Sequence, residues 1–123
     1  MKTLVLLLMS TLLMAQEATI VKSFPIESWE YHVNLPGEIE VVRWDSEIIR
    51  IEVTCEVNEG LSHLLERLIQ VGRYRMEIRN GEIVMPNLSK EIWIKGEKLS
   101  ETLQIKISAP EGISVYVVNE ISL

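Results

Sequence analysis

The chain has 123 residues, 47% of them hydrophobic, and a formal charge of −6 from 12 basic and 18 acidic side chains. Its basic residues are scattered, with Arg73, Arg75 and Arg79 the only cluster, which argues against nucleic acid or an anionic membrane surface as partner. One cysteine rules out an internal disulfide, so the fold must stand on packing alone.

The opening MKTLVLLLMSTLLMAQE has the layout of a secretory signal peptide. Lys2 gives a short positive start, Leu4 to Met14 form an apolar run interrupted by Ser10 and Thr11, and Ala15 is a suitable small residue before the cut. A membrane span needs roughly 20 apolar residues, so this run is too short for a permanent anchor. Cleavage is expected after Ala15 or Gln16, and no stable span remains afterwards. No cysteine stands at the junction to take a lipid. Residues 1–15 are thus read as a signal peptide and 16–123 as a single β-rich domain. The 12 basic residues less Lys2, against 18 acidic ones, leave that domain at −7.

Strand signals dominate the rest of the chain. Trp29, Tyr31 and Val33 share one parity, then Pro36-Gly37 marks a turn before Ile39 and Val41. In EIIRIEVTCEV, Ile49, Ile51, Val53, Cys55 and Val57 alternate with Arg50, Glu52, Thr54 and Glu56, a half-buried strand with one wet face. The period then changes. Leu61, Leu64, Leu65, Leu68 and Ile69 fall on one stripe of an amphipathic helix over 59–71, with Asn58 as N-cap and Gly72 at its end. Such a stripe must lie on something apolar, and the edge or end of a sheet is the expected site for a lid. Alternation resumes at Tyr74, Met76 and Ile78. Asn80-Gly81 suits a type I′ hairpin turn that sets Ile78 opposite Ile83 and Met76 opposite Met85. Further strands are expected around Ile92 to Ile94, Leu103 to Ile107 and Ile113 to Val117, the last two separated by the turn residues Pro110-Glu111-Gly112. Residues 113 to 118 carry no lysine or proline to blunt an edge. They are expected at or near a sheet edge, either as a place of self-association or because the chain is a shortened member of a longer family.

Few residues offer chemistry. His63 flanks the helical stripe, and as a general base it would need a nucleophile and an orienting acid, whereas the chain has a single aspartate, Asp45, and no Gly-x-Ser-x-Gly elbow. Cys55 shares its parity with core aliphatics and reads as a small buried hydrophobe. Two histidines and one cysteine far apart do not offer a zinc site, and there is no phosphate loop, calcium loop or HExxH. Glu38, Glu40, Glu52 and Glu56 read as solvated strand faces. No catalytic residue, metal or cofactor is therefore assigned. Trp29, Tyr31 and Tyr74 take the inward parity. Trp44, Trp93 and Tyr116 take the polar one and are the candidate ligand-binding residues, able to stack on a sugar or a partner protein. Asn87-Leu88-Ser89 matches a glycosylation sequon.

The run VNLPGEIEVVRWDSEIIRIEVTCEV, with Gly37, Ile39, Val41, Trp44 and Asp45 ahead of a charged alternating strand, resembles the opening of secreted adhesin-like β-solenoid proteins of Bacteroidetes, of the autotransporter-adhesin head type. GRYRMEI, MPNL and APEGISVYV are also similar to segments of such proteins. The resemblance implies export, short stacked strands and an adhesive or surface role, and it brings no catalytic residues. The hairpin at Asn80-Gly81 is antiparallel, where a parallel solenoid would have none, so a β-sandwich is the alternative fold.

The expectation is an exported, non-catalytic β-module with an interaction, adhesive or structural role in the periplasm, at the cell surface or outside the cell. An envelope protein or a polysaccharide would be its partner. The alternatives are a carbohydrate-binding module using Trp44 and Trp93, and a small hydrolase using His63.

Overall fold

The runs that alternate most cleanly become the longest strands. The computed structural model describes residues 16–57 and 63–118, so the leader and the expected helix start at 59 lie outside the described residues. In chain order the elements are β1 (Gln16–Pro25), β2 (Glu30–Val33), β3 (Glu38–Trp44), β4 (Ile48–Val57), α1 (Leu64–Gln70), β5 (Glu77–Arg79), β6 (Glu82–Val84), β7 (Trp93–Ile94), β8 (Glu97–Lys98), β9 (Glu101–Pro110) and β10 (Ser114–Val117). The protein is mainly β, with one short helix among the described residues.

In β4 the five residues Ile49, Ile51, Val53, Cys55 and Val57 are buried, and in β9 so are Leu103, Ile105, Ile107 and Ala109. The two strands pair antiparallel with these faces matched: Ile51 opposite Ile107, Val53 opposite Ile105, Cys55 opposite Leu103. β1 pairs antiparallel along the whole other side of β4, and β3 runs parallel to β9, giving the order β1-β4-β9-β3. A second four-stranded sheet has the order β10-β2-β6-β5, and β7 and β8 form a separate two-stranded ribbon. Tyr31 and Val33 of β2 and Ile83 of β6 join the first sheet's aliphatics in one buried cluster. Fully burying an aliphatic of this size is worth roughly 1.5–3 kcal/mol, so this shared core is the main source of stability.

Strand directions are mixed. β3 with β9, β2 with β6, and β10 with β2 are parallel, as in stacked rungs. β1 with β4, β4 with β9, β5 with β6, and β7 with β8 are antiparallel. At the hairpin, Ile78 pairs with Ile83, and Asn80 and Gly81 have φ of 53° and 79°, both positive as a type I′ turn demands. The paired ladder stops at Glu77 and Val84, one step short of Met76 and Met85, although both methionines are buried. β10 lies at the end of its sheet, the position expected for residues 113 to 118.

The described helix, Leu64–Gln70, falls within the 59–71 predicted from the apolar spacing, of which residues 59–62 lie outside the described residues. Its described part starts at Leu64, with His63 at the N-cap position in the left-handed region at φ 59° and no side-chain cap; Asn58 lies outside the described residues. The helix ends at Gln70 in a Schellman arrangement: Gly72 N–H donates to the Ile69 carbonyl and Arg73 N–H to the Leu68 carbonyl, 3.0 Å each. Leu65 and Leu68 are buried, whereas Leu64 and Ile69 are half-buried at the rim of the core. The helix packs beside β1, the edge strand of the first sheet, and Leu65 N–H donates to Gln16 Oε1 at 2.7 Å.

Trp29 departs from the inward parity. It is 79% exposed, because the chain bends just before β2 begins. There the Ser28 hydroxyl accepts from Glu30 N–H and donates to the Glu30 carbonyl, which breaks the alternation one residue ahead of Tyr31.

Leu68→Ala should cost roughly 2–5 kcal/mol, the range for a truncated core leucine, while exposed His63→Ala should stay within about 0.5 kcal/mol of wild type. Urea unfolding of both variants measures this. An unmoved midpoint for Leu68→Ala would mean that the helix is not packed on the core.

Candidate functional site

A charged residue placed directly after the helix's glycine stop is turned into the protein rather than out of it. Arg73 is 7% exposed. Its guanidinium forks onto Glu101 at the start of β9, with Nε donating to Oε2 at 2.8 Å and Nη2 to Oε1 at 2.7 Å. The remaining edge, Nη1, donates to the Lys90 carbonyl at 2.7 Å. Tyr74, the next residue and fully buried, donates its hydroxyl to Glu101 Oε2 at 2.5 Å. One positive and one negative charge are thereby matched, with every guanidinium nitrogen and both carboxylate oxygens hydrogen-bonded, which is the condition under which a buried pair is tolerated.

Burial alone would raise the Glu101 carboxyl, but hydrogen bonds from Arg73 and Tyr74 outweigh it and hold the group below the usual carboxylate range. The Arg73 guanidinium is raised by its hydrogen bond to Glu101, against the pull of burial. Burial, then the bond to Glu101, push the Tyr74 hydroxyl well above its ordinary value. Cys55 sits nearby on β4, where burial first and the Glu101 charge second push its thiol up to about 12. A thiol held that high supplies almost no thiolate, so it is not a nucleophile at neutral pH.

This cluster forms one wall of a groove of about 600 Å³. The groove lies between the start of β3 and β9, the 88–92 segment and the β7–β8 ribbon, with Pro36, Leu88, Ile92, Leu99 and Leu103 as its apolar lining and Lys90, Glu91 and Lys98 around it. Lys98 pairs with Glu91 at 3.3 Å. Gly37 closes the groove at the turn into β3. Its φ is +103°, and a Cβ there would overlap the Leu103 carbonyl oxygen, so only glycine lets the turn sit this close to β9. The size falls in the range of small-molecule sites, but its strongest polar groups, Arg73 and Glu101, are already spent on each other.

The three aromatic candidates do not converge. Trp93 is 61% exposed on β7, next to the groove's Ile92, whose carbonyl accepts from Leu99 N–H. Trp44 lies at the opposite end of β3, about 20 Å away along a seven-residue strand. It is half-buried, its indole N–H donates to the Ile48 carbonyl at 3.0 Å, and the Arg50 guanidinium lies 5.7 Å over its ring. Those contacts make Trp44 a brace for the β3–β4 turn. Tyr116 is on the other sheet, 51% exposed and stacked on His32 with ring centroids 5.2 Å apart. His32 Nε2 is 2.9 Å from Glu30 Oε2, and His63 Nδ1 is 3.3 Å from Glu66 Oε1; neither histidine lines the groove. Among the described residues no three His, Cys, Asp or Glu side chains gather as a metal site.

Sequence reasoning does not bring Arg73, Glu101 and Tyr74 together. By spacing Arg73 belongs with Arg75 and Arg79 in a basic cluster, yet those two stay on the surface and share the one carboxylate of Glu77, at 2.8 Å each. The one sequence signal is an arginine between a helix-ending glycine and an inward tyrosine.

Glu101→Gln should cost about 3–5 kcal/mol, the range for breaking a buried pair and stranding its partner. Because the folded carboxyl is held low, its contribution is complete above the unfolded carboxylate pKa of about 4.3 and is lost as pH falls through the lower folded value. Stability measured from pH 7 down to pH 2 should therefore fall less steeply in Glu101→Gln than in wild type; parallel curves would contradict the assignment.

Comparison with protein-family models, with curated proteins and with solved structures found no match to this chain.

Proposed function

We propose that the chain is an exported, non-catalytic β-module that works at the cell envelope by contact with a partner. The observation that carries this reading is a division of labour among its side chains. The buried ionic network of Arg73, Glu101 and Tyr74 is satisfied internally and braces the fold, while large aromatics stand in solvent: Trp29, Trp93 and Tyr116. Exposed aromatic surface is the usual anchor of recognition. The apolar leader with its small residue at position 15 supports export, and the resemblance to adhesin-like proteins supports an adhesive or surface role. We read the architecture as a β-sandwich of two mixed sheets rather than a solenoid, because both sheets contribute to one core and antiparallel ladders run through the longest strands.

A second reading, a carbohydrate-binding module, is favoured by the exposure of Trp93 beside the groove. Trp44 contributes less to it, since its indole N–H is already bonded to Ile48.

Two measurements test these readings. Expressed in a bacterial host with its leader, the full chain should appear outside the cytoplasm with a mass matching cleavage after Ala15 or Gln16; retention in the cytoplasm at full mass overturns the envelope assignment. Titration with polysaccharides, followed by tryptophan fluorescence, should give a saturable response that Trp93→Ala abolishes if sugar is the ligand. A flat titration, or one that Trp93→Ala leaves unchanged, removes the sugar reading.

A further inference from the structure

Four strands lie at the ends of the two large sheets: β1 and β3 in one, β10 and β5 in the other. An edge strand invites pairing with another chain unless charge, proline or a bulge blunts it. β1 carries Glu17, Lys22 and Pro25; β3 carries Glu38, Glu40 and Arg43; β5 carries Glu77 and Arg79. β10, Ser114-Val115-Tyr116-Val117, carries no charge at all. In a chain of net charge −6, it is the edge at which a second copy meets no like charge on the facing strand.

The backbone of β10 is half used. Ser114 N–H donates to the Trp29 carbonyl at 2.9 Å and Val118 N–H to the Val33 carbonyl at 2.8 Å, so the even-numbered residues face β2. The N–H and C=O groups of Val115 and Val117 therefore point the other way, to the outer side where no described strand lies. Exposed apolar groups gather here as well. Of the seven large hydrophobics that are exposed, Tyr116, Val117 and Val118 are on or next to β10, and Trp29 is bonded to its first residue. Exposed apolar residues gathered along an unpaired strand edge favour an interaction there.

We propose that β10 is a homotypic docking edge, at which two copies pair antiparallel about a two-fold axis through Tyr116. In that register Val115 of one copy and Val117 of the other form a hydrogen-bonded pair, twice over, using all four outward-facing groups of each strand. Tyr116 meets its own counterpart in the closer, non-hydrogen-bonded position, with Cα atoms about 4.5 Å apart. The stacked His32–Tyr116 pair of each copy would then continue into the other across the axis. The contact is isologous, so it closes at a dimer and does not propagate into a fibre. The strand is short, and stable interfaces bury upwards of about 1,200 Å², so the dimer is a weak one that forms at high protein concentration or where copies are crowded on a surface.

The inference rests on the reading of the chain as an interaction module, but the export and polysaccharide experiments do not involve β10, so the two can fail separately. Disulfide trapping tests the register, because a bridge needs Cα atoms about 4.4–6.8 Å apart. Native Cys55 is buried and stays silent. Under mild oxidation of the purified chain, Tyr116→Cys should give several-fold more covalent dimer than Ser114→Cys, which sits off the axis. The double variant Ser114→Cys with Val118→Cys should restore trapping, because those two positions face each other in the same register. Sedimentation of the wild type should show reversible dimer formation at high concentration, lost in Tyr116→Lys, which sets like charges face to face. A wild-type chain that stays monomeric throughout, as it would if the edge served an unrelated peptide, overturns the proposal. Equal trapping of the two single variants overturns it too.

Discussion

The bidentate ion pair between Arg73 and Glu101 is the interaction on which the arrangement around the groove depends. It joins three pieces that are distant in sequence: the end of α1, the start of β9, and the Lys90 backbone in the segment leading to the ribbon. Tyr74 adds a third bond to the same carboxylate and lies in the core with Cys55 and Leu103. A charge buried to this degree costs several kcal/mol to desolvate. It is tolerated here because each polar atom has a partner, and the pair ties the chain leaving the helix's glycine stop to β9 and to the Lys90 backbone.

The rest of the fold is conventional packing around that lock. β4 and β9 match their aliphatic faces residue for residue, and β2 and β6 bring Tyr31, Val33 and Ile83 onto the same core. Gly37 allows β3 to turn in against β9 at the groove's end, and Trp44 braces the turn at the far end of β3 by its bond to Ile48. The surface is left with aromatics at separate places. The exposed aromatics thus stand at strand ends and edges rather than around a single enclosed site.

Much of this is legible in the sequence where a period is involved. Alternation locates Ile49 to Val57 and Leu103 to Ile107, and Asn80-Gly81 fixes the hairpin with Ile78 against Ile83, because these signals are local and each residue's face follows from its parity. The helix stripe is legible, but its start is not: spacing places a stripe without saying where the first hydrogen-bonded turn begins. Parity misplaces Trp29 because it holds only inside a strand, and a serine turn precedes β2. The parallel pairing of β3 with β9 joins residues more than sixty apart, and no local pattern encodes it. The same distance effect hides the ion pair. Whether an arginine is solvated or buried depends on a carboxylate 28 positions away, which composition and spacing do not reveal.

The most direct test is a double-mutant cycle on the pair, with Arg73→Met, Glu101→Leu and both together, each followed by chemical unfolding. The account predicts strong coupling: each single variant strands a buried charge, while the double removes both and loses much less than the sum, by more than about 1 kcal/mol. Losses that add to within about 0.5 kcal/mol would contradict it, and would mean that Arg73 and Glu101 are solvated independently and do not hold the helix, the 88–92 segment and β9 together.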